Sequence, residues 1–265
     1  SDEKIFLDKN DVTQVLFSNQ YLLMTSNANP KKTALARFED YQSPLKKIAH
    51  DSIHDWKIKA RNKEQSFAID MLLDPSIRLV SLIGRAGSGK TLCAIAAGLQ
   101  QTLGVEQVYS RMIVSRPVQP LGKDIGFLPG TMQEKMLPWL MPIQDNLKFL
   151  MGDKTNLEMY VSRGKIEIEA LTYIRGRSIS DAFIIIDEAQ NLSRHEIKTI
   201  ITRIGENTKI VLTGDIEQID NIYVNETSNG LAHAVESFKD YKIAGHMTFR
   251  KGERSELATL ASKVL

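Results

Sequence analysis

From about residue 59 the chain alternates short apolar runs with longer stretches of helical period. The runs at 79–83, 111–115, 166–170, 183–187, 209–213 and 242–248 read as strands, and the segments 64–73, 90–103, 131–150, 194–204, 229–238 and 253–264 as helices. The first, fourth and fifth runs are nearly continuous in apolar residues, as parallel strands covered on both faces must be. Ser193 stands just before the helix that opens at Arg194, and Glu196 follows three residues later, the spacing of a capping box. Strands and helices in this order predict an α/β fold with a mostly parallel sheet flanked by helices. Residues 1–58 differ. They break into strand-like pieces, Ile5–Leu7, Gln20–Thr25 and Ala34–Phe38, separated by turn chemistry at Asn27-Ala28-Asn29-Pro30 and Ser43-Pro44. The expected organisation is therefore a small β-rich N-terminal region, 1–58, followed by an α/β domain, 59–265. No function is legible in the first of these.

Composition narrows the class only modestly. The 265 residues are 42% hydrophobic and 25% charged, an ordinary globular balance. No apolar run approaches the ~20 residues of a membrane span, and no membrane partner is expected. The opening Ser1-Asp2-Glu3-Lys4 lacks the order of a signal peptide and an initiator Met, so it reads as a processed end or a fragment. The single cysteine, Cys93, rules out an intrachain disulfide and a multi-cysteine metal site, and a packed core role suits it. A cytoplasmic location fits these features. The formal net charge of +2 is too mild to argue for nucleic acid. Arg163, Lys165, Arg175 and Arg177 bracket the strand at 166–170, where a solvated edge is the plainer reading.

The chemistry is concentrated at strand ends. Gly84-Arg85-Ala86-Gly87-Ser88-Gly89-Lys90-Thr91 completes the phosphate-loop pattern G-x-x-x-x-G-K-[ST] between an apolar strand and a helix. Its glycines let successive N–H groups turn inward at phosphate oxygens, and the helix N-terminus behind them adds positive potential. Lys90 can reach the β- and γ-phosphates, and the Thr91 hydroxyl can hold Mg²⁺. The strand Phe183–Ile186 runs into Asp187 and Glu188, one acid to hold Mg²⁺ and one to polarise a water. Two adjacent acids at the end of a buried strand call for a nearby cation. The strand at 209–213 leads to Gly214-Asp215-Ile216-Glu217-Gln218 and is expected between the other two, so that Gln218 faces the γ-phosphate. Gln65 opens the helix before the first sheet strand, and a glutamine amide matches the N6/N7 edge of adenine. The segment Pro117–Gly130 reads as a long loop on the ligand side of the sheet.

These residues together resemble known families. Asn62-x-x-Gln65, the phosphate loop, Asp187-Glu188-Ala189-Gln190 and Gly214-Asp215-x-x-Gln218 resemble the motor motifs of superfamily-1 helicases. Ser115-Arg116-Pro117, Gly126-Phe127-Leu128-Pro129-Gly130, Tyr173-Ile174-Arg175-Gly176-Arg177 and Thr213–Asp220 resemble the PhoH family of ATPases, from about residue 56 to the C-terminus. Asn19–Leu23 through Asn62 is similar to the linker β region of PIN–PhoH fusions, although no PIN ribonuclease domain is present in this chain. The resemblance implies a RecA-like P-loop NTPase that hydrolyses ATP with Mg²⁺ and has single-stranded or structured RNA as partner, serving a PIN ribonuclease in the parent protein. It places Gln65 at adenine, Gly84 to Thr91 at the phosphates, Thr91 and Asp187 at the metal, Glu188 at the attacking water and Gln218 at the γ-phosphate.

Arg250-Lys251-Gly252-Glu253-Arg254-Ser255 resembles the arginine motif that helicases set against the transferred phosphoryl group. Helicases of this class build their site between two RecA-like domains, and one is expected here. A head-to-tail ring, hexameric by resemblance, would supply the missing half, with Arg254, Arg175 or Arg177 as candidate fingers in cis or in trans. For RNA, Arg116, Arg163, Arg175 and Arg177 could follow phosphates and Tyr173 could stack on a base. Two other readings remain at this level. One is a nucleotide-gated clamp for RNA or protein with little turnover. The other, a small-molecule kinase, suits the Asp187-Glu188 pair and Gln218 less well than water as nucleophile does.

Overall fold

The computed structural model describes residues 4–117, 132–152, 154–174, 176–221, 223–225 and 228–250. Six strands form one parallel sheet: β6 (Leu79–Gly84), β7 (Arg111–Arg116), β8 (Ile166–Ala170), β9 (Ala182–Ile186), β10 (Lys209–Gly214) and β11 (Ala244–Phe249). Their order across the sheet is β11-β6-β10-β9-β7-β8, and every pairing is parallel. The continuous apolar runs explain this burial. In β9, Phe183 and Ile185 point into one core layer, and Ala182, Ile184 and Ile186 into the other. One layer receives α1 (Lys63–Leu73), α2 (Lys90–Leu103) and α3 (Met132–Met151). The opposite layer receives α6 (Arg194–Ile201) and α7 (Gly230–Phe238) through Ile197 and Leu231. Two short helices, α4 (Lys154–Ser162) and α5 (Leu171–Ile174), flank β8. This is a RecA-like P-loop architecture.

The expected elements are present with shifted ends. β9 stops at Ile186, so Asp187 lies just beyond the strand. The helix expected to 204 ends at Ile201, and its Ser193–Glu196 capping box is formed in both directions. Helix α4 was not expected; it is short, and Gly152 and Gly164 punctuate both ends. The helix expected at 253–264, the loop residues 118–130, Arg175, Arg254 and the side chain of Tyr173 lie outside the described residues.

The N-terminal region forms an antiparallel sheet of β1 (Gln20–Thr25), β2 (Thr33–Phe38) and β3 (Lys46–Lys47). Ile5–Leu7 is not a strand; the Ile5 carbonyl accepts one hydrogen bond, from Leu45 N–H at 2.7 Å. A hairpin follows, β4 (Ser52–Ile53) with β5 (Ile58–Lys59), and Ile53 is buried in the core of the large sheet. Polar bonds fix the region to the α/β core. Asn19 Nδ2 donates to the carbonyls of Lys242 and Ala244, each at 2.8 Å. Tyr21 Oη donates to Asp70 at 2.7 Å, and Arg37 pairs with Asp74 at 2.5 Å. Burial alone would raise the Asp74 carboxyl, but hydrogen bonds from Ser76 and Arg37 hold it down at about 2. Beneath this cluster the fully buried Lys209 donates from Nζ to the carbonyls of Met71, Leu72 and Asp74, satisfying the C-terminal end of α1. Burial pushes its ammonium down to about 7.

Candidate nucleotide site

Three neighbouring strands end at one place. The register sets Leu212 of β10 beside Ile186 of β9, so that the next residues, Thr213 and Asp187, are neighbours. On its other side Gly214 pairs with Ile83, one residue before the phosphate loop begins. Strand β10 thus lies between the loop and the acids, as its apolar run and position in the chain suggested.

Within the loop, Gly87 and Gly89 adopt φ of 78° and 88°, a region that side chains disfavour. At Gly89 a Cβ would also lie 2.9 Å from the Gln65 amide nitrogen and would displace it. That nitrogen donates to the Ser88 carbonyl at 3.1 Å, and Gln65 Oε1 accepts from Arg61 N–H at 2.9 Å. Asn62 caps α1 by accepting from Gln65 N–H. Gln65 therefore clasps the loop, a role distinct from the adenine contact that the resemblance implies. Lys90 begins α2 nearly buried, with Nζ donating to the Arg85 carbonyl at 3.2 Å. The Ser88 hydroxyl is buried and, among the described residues, lacks a hydrogen-bond partner. Arg85 projects outward and forms a two-bond pair with Glu217 at the tip of β10, at 2.7 and 3.2 Å.

The acids are held in different ways. Asp187 is 5% exposed and accepts, at one oxygen, from Thr91 Oγ1 at 2.8 Å and Thr213 Oγ1 at 2.6 Å. Glu188 has a left-handed backbone, φ 55°, uncommon for a residue with a side chain and frequent at functional turns. Its carboxylate is bound by Arg116 at 3.3 Å and by Gln190 Nε2 at 2.6 Å. Gln190, wholly buried, joins the two motifs. Its amide also donates to the Gln218 carbonyl at 2.9 Å and accepts from Asp215 N–H at 3.1 Å. Gly214 permits this approach, since a Cβ there would lie 2.6 Å from Gln190 Oε1. The Gln218 side chain is exposed at the turn so anchored.

The site thus brings together Gly84 to Thr91, Gln65, Asp187, Glu188 and the Gln218 turn. Three contributors had no role assigned from the sequence: Thr213, Gln190 and Glu217. Thr213 was detectable as the polar residue that closes an apolar strand. Gln190 was visible as a motif letter, but its partners are 25 and 28 residues away. Arg116, a candidate for RNA phosphates, pairs with Glu188 at 3.3 Å. Arg177 pairs with Glu167 and Glu169 on β8, so its charge is already matched within the chain.

Residues that could hold a nucleotide and its metal fit that purpose. The loop carries two left-handed glycines and an unpartnered buried hydroxyl, and Thr91 and Asp187 present hard oxygen atoms side by side. Among the described residues no group of three or more His, Cys, Asp or Glu side chains could hold a metal. Two protein oxygens with phosphates and water completing the shell is the usual Mg²⁺ arrangement. Likewise, no helix of the described residues is long and apolar enough to cross a membrane.

A glycine-rich loop between a parallel strand and a helix, with an acid at the end of a nearby strand, defines a P-loop nucleotide-binding fold. Within that class the chain belongs to the PhoH-like protein family, which it matches over residues 57–264. It is 50% identical over 262 residues to Protein PhoH2 of Bacillus subtilis, covering 97% of this chain and 59% of that protein. It is 40% identical to Protein PhoH2 of Mycolicibacterium smegmatis, over 78% of this chain and 47% of the relative. Protein PhoH of Escherichia coli is 35% identical over 77% of this chain and 56% of its own length. The chain thus spans about half the length of these relatives. Among solved structures, a Sulfolobus solfataricus SWI2/SNF2 ATPase core in complex with dsDNA aligns over 76% of this chain and 47% of its own. That match has a TM-score of 0.43 and 13% identity.

Proposed function

We propose that the chain is an Mg²⁺-dependent ATPase whose turnover is coupled to RNA, as the nucleotide-driven part of a longer cytoplasmic PIN–PhoH protein. The observation that carries the ATPase reading is the Thr91–Asp187 hydrogen bond, which joins the phosphate loop to the end of β9. The two oxygens that would share Mg²⁺ already lie together, and Glu188 follows by one residue. Bound Mg²⁺ would supply charge neutralisation at the phosphates. Lys90 binds the β- and γ-phosphates, and the loop N–H groups orient them. Glu188, aligned by Arg116 and Gln190, takes up the proton of the attacking water. Gln218 orients that water against the terminal phosphoryl group.

RNA, the ring and the PIN partner rest on the family resemblance. The 59% coverage of the Bacillus relative leaves room in that protein for a further domain. A ring, hexameric by resemblance, would bring a neighbour's arginine to a site that one RecA-like domain leaves open. Phosphate release measured with and without single-stranded RNA tests the reading. RNA-stimulated turnover that Glu188→Gln abolishes supports it. Binding of ATP with no turnover under either condition would instead make the chain a nucleotide-gated clamp.

A further inference from the structure

Arg85 is the second residue of the phosphate loop, at a position where the motif accepts any side chain. Its backbone borders the phosphate-binding amine, since the Arg85 carbonyl accepts from Lys90 Nζ at 3.2 Å. Its side chain leaves the loop and crosses to the tip of β10. There Nε and Nη2 meet the two carboxylate oxygens of Glu217 at 2.7 and 3.2 Å. Glu217 is fixed within its turn, its N–H donating to Asp215 Oδ1 at 3.1 Å, and Gln218 follows it in the chain. The guanidinium therefore spans the gap between the loop and the turn that carries Gln218. The second Asp215 oxygen is buried and, among the described residues, lacks a hydrogen-bond partner. Its charge also acts on Arg85, so two carboxylates share the field of one cation.

As a structural device the pair is weak. The two side chains are 56% and 60% exposed, and an ion pair in that setting contributes little stability. Its geometry is that of a recognition fork: a guanidinium gives a phosphate the same two parallel N–H donors that it gives a carboxylate. A triphosphate held by the loop brings several negative charges to a place that Arg85 already borders. We propose that Arg85 exchanges Glu217 for the terminal phosphoryl group, so that the two residues together distinguish a nucleoside triphosphate from a diphosphate. The inference rests on the phosphate-site reading and adds a side-chain role for both residues. Glu217 competes with the terminal phosphoryl group for one guanidinium. A diphosphate has no such group and leaves the pair closed. A triphosphate opens it, and the Gln218 turn loses its side-chain link to the loop at the moment of binding.

Titration calorimetry of the intact chain with Mg²⁺ tests this by comparing a non-hydrolysable ATP analogue with ADP. Arg85→Ala should weaken the analogue about 10- to 100-fold, the loss expected of a charged hydrogen-bonding group, and leave ADP within about three-fold. Retained ADP binding also shows that the variant is folded. Glu217→Gln should tighten the analogue by about 2- to 5-fold, the worth of an exposed ion pair, and leave ADP unmoved. In an Arg85→Ala background the same Glu217→Gln change should bring no gain, because the contested guanidinium is absent. An equal gain in that background would mean plain charge repulsion and would overturn the exchange. So would an Arg85→Ala variant that weakens both ligands alike or neither, or a Glu217→Gln variant that weakens the analogue. Failure of the phosphate reading looks different: the native chain would bind neither ligand.

Discussion

The hydroxyl of Thr213 donates to Asp187 Oδ1 at 2.6 Å, between two strands that are adjacent in the sheet yet separated in sequence by the whole of α6. Thr91 reaches the same oxygen from the phosphate loop. Asp187 is thus fixed from both sides before any ligand arrives, and its second oxygen stays available to a cation. Thr213→Val preserves shape and removes one donor. Turnover should fall about 10- to 100-fold, through loss of about 1–3 kcal/mol of hydrogen bonding to a buried charged group. Thr213→Ser should restore most of it. Steady-state phosphate release checks both, and full activity in the valine variant would show that Thr213 is dispensable for placing Asp187.

Glu188 is the expected proton acceptor. Glu188→Gln should keep ATP affinity within a few-fold and reduce turnover by about 10²–10⁴. Parallel binding and single-turnover measurements separate the two quantities. If affinity collapses and the residual rate per bound ATP is normal, the carboxylate serves binding.

Gln190 ties the acid-bearing turn to the tip of β10. Gln190→Ala leaves the buried Asp215 N–H without its partner and should cost about 1–3 kcal/mol of stability. A second effect is expected at Gln218, whose carbonyl loses its anchor. Denaturant unfolding reads the first and ATP turnover the second. A variant with wild-type stability and turnover would remove Gln190 from the site.

Lys209 gives a pH signature remote from the nucleotide. Its folded-state pKa, about 7, lies below that of the unfolded chain. Between pH 7 and about 10.4 the unfolded state therefore binds more protons, and this residue makes stability rise with pH by up to about 1.4 kcal/mol per unit. Below pH 7 the contribution is flat. Urea unfolding at pH 7, 8 and 9 should show this rise, and Lys209→Met should flatten it. The same slope in both proteins would assign it to other groups.

Much of the molecule was legible in the sequence because its signals are local. Continuous apolar runs such as Phe183–Ile186 can be satisfied only in a strand covered on both faces. The phosphate loop needs specific glycines at specific positions. The N-terminal pieces were legible as strands at β1 and β2 but not at β3, β4 or β5, where two-residue strands carry no period to read. Of the site, Lys90, Thr91, Asp187 and Glu188 could be named from residue type and strand position.

What the sequence by itself determined is therefore the class of fold, the phosphate loop and the two acids, all properties of neighbours along the chain. Only the tertiary structure decided which partners hold them: Thr213 at Asp187, Arg116 and Gln190 at Glu188, and Gln65 across the loop. The physical reason is that hydrogen bonds and packing act over a few ångströms in space. Strand order and register, set by burial of the whole sheet, choose which distant residues come within that reach.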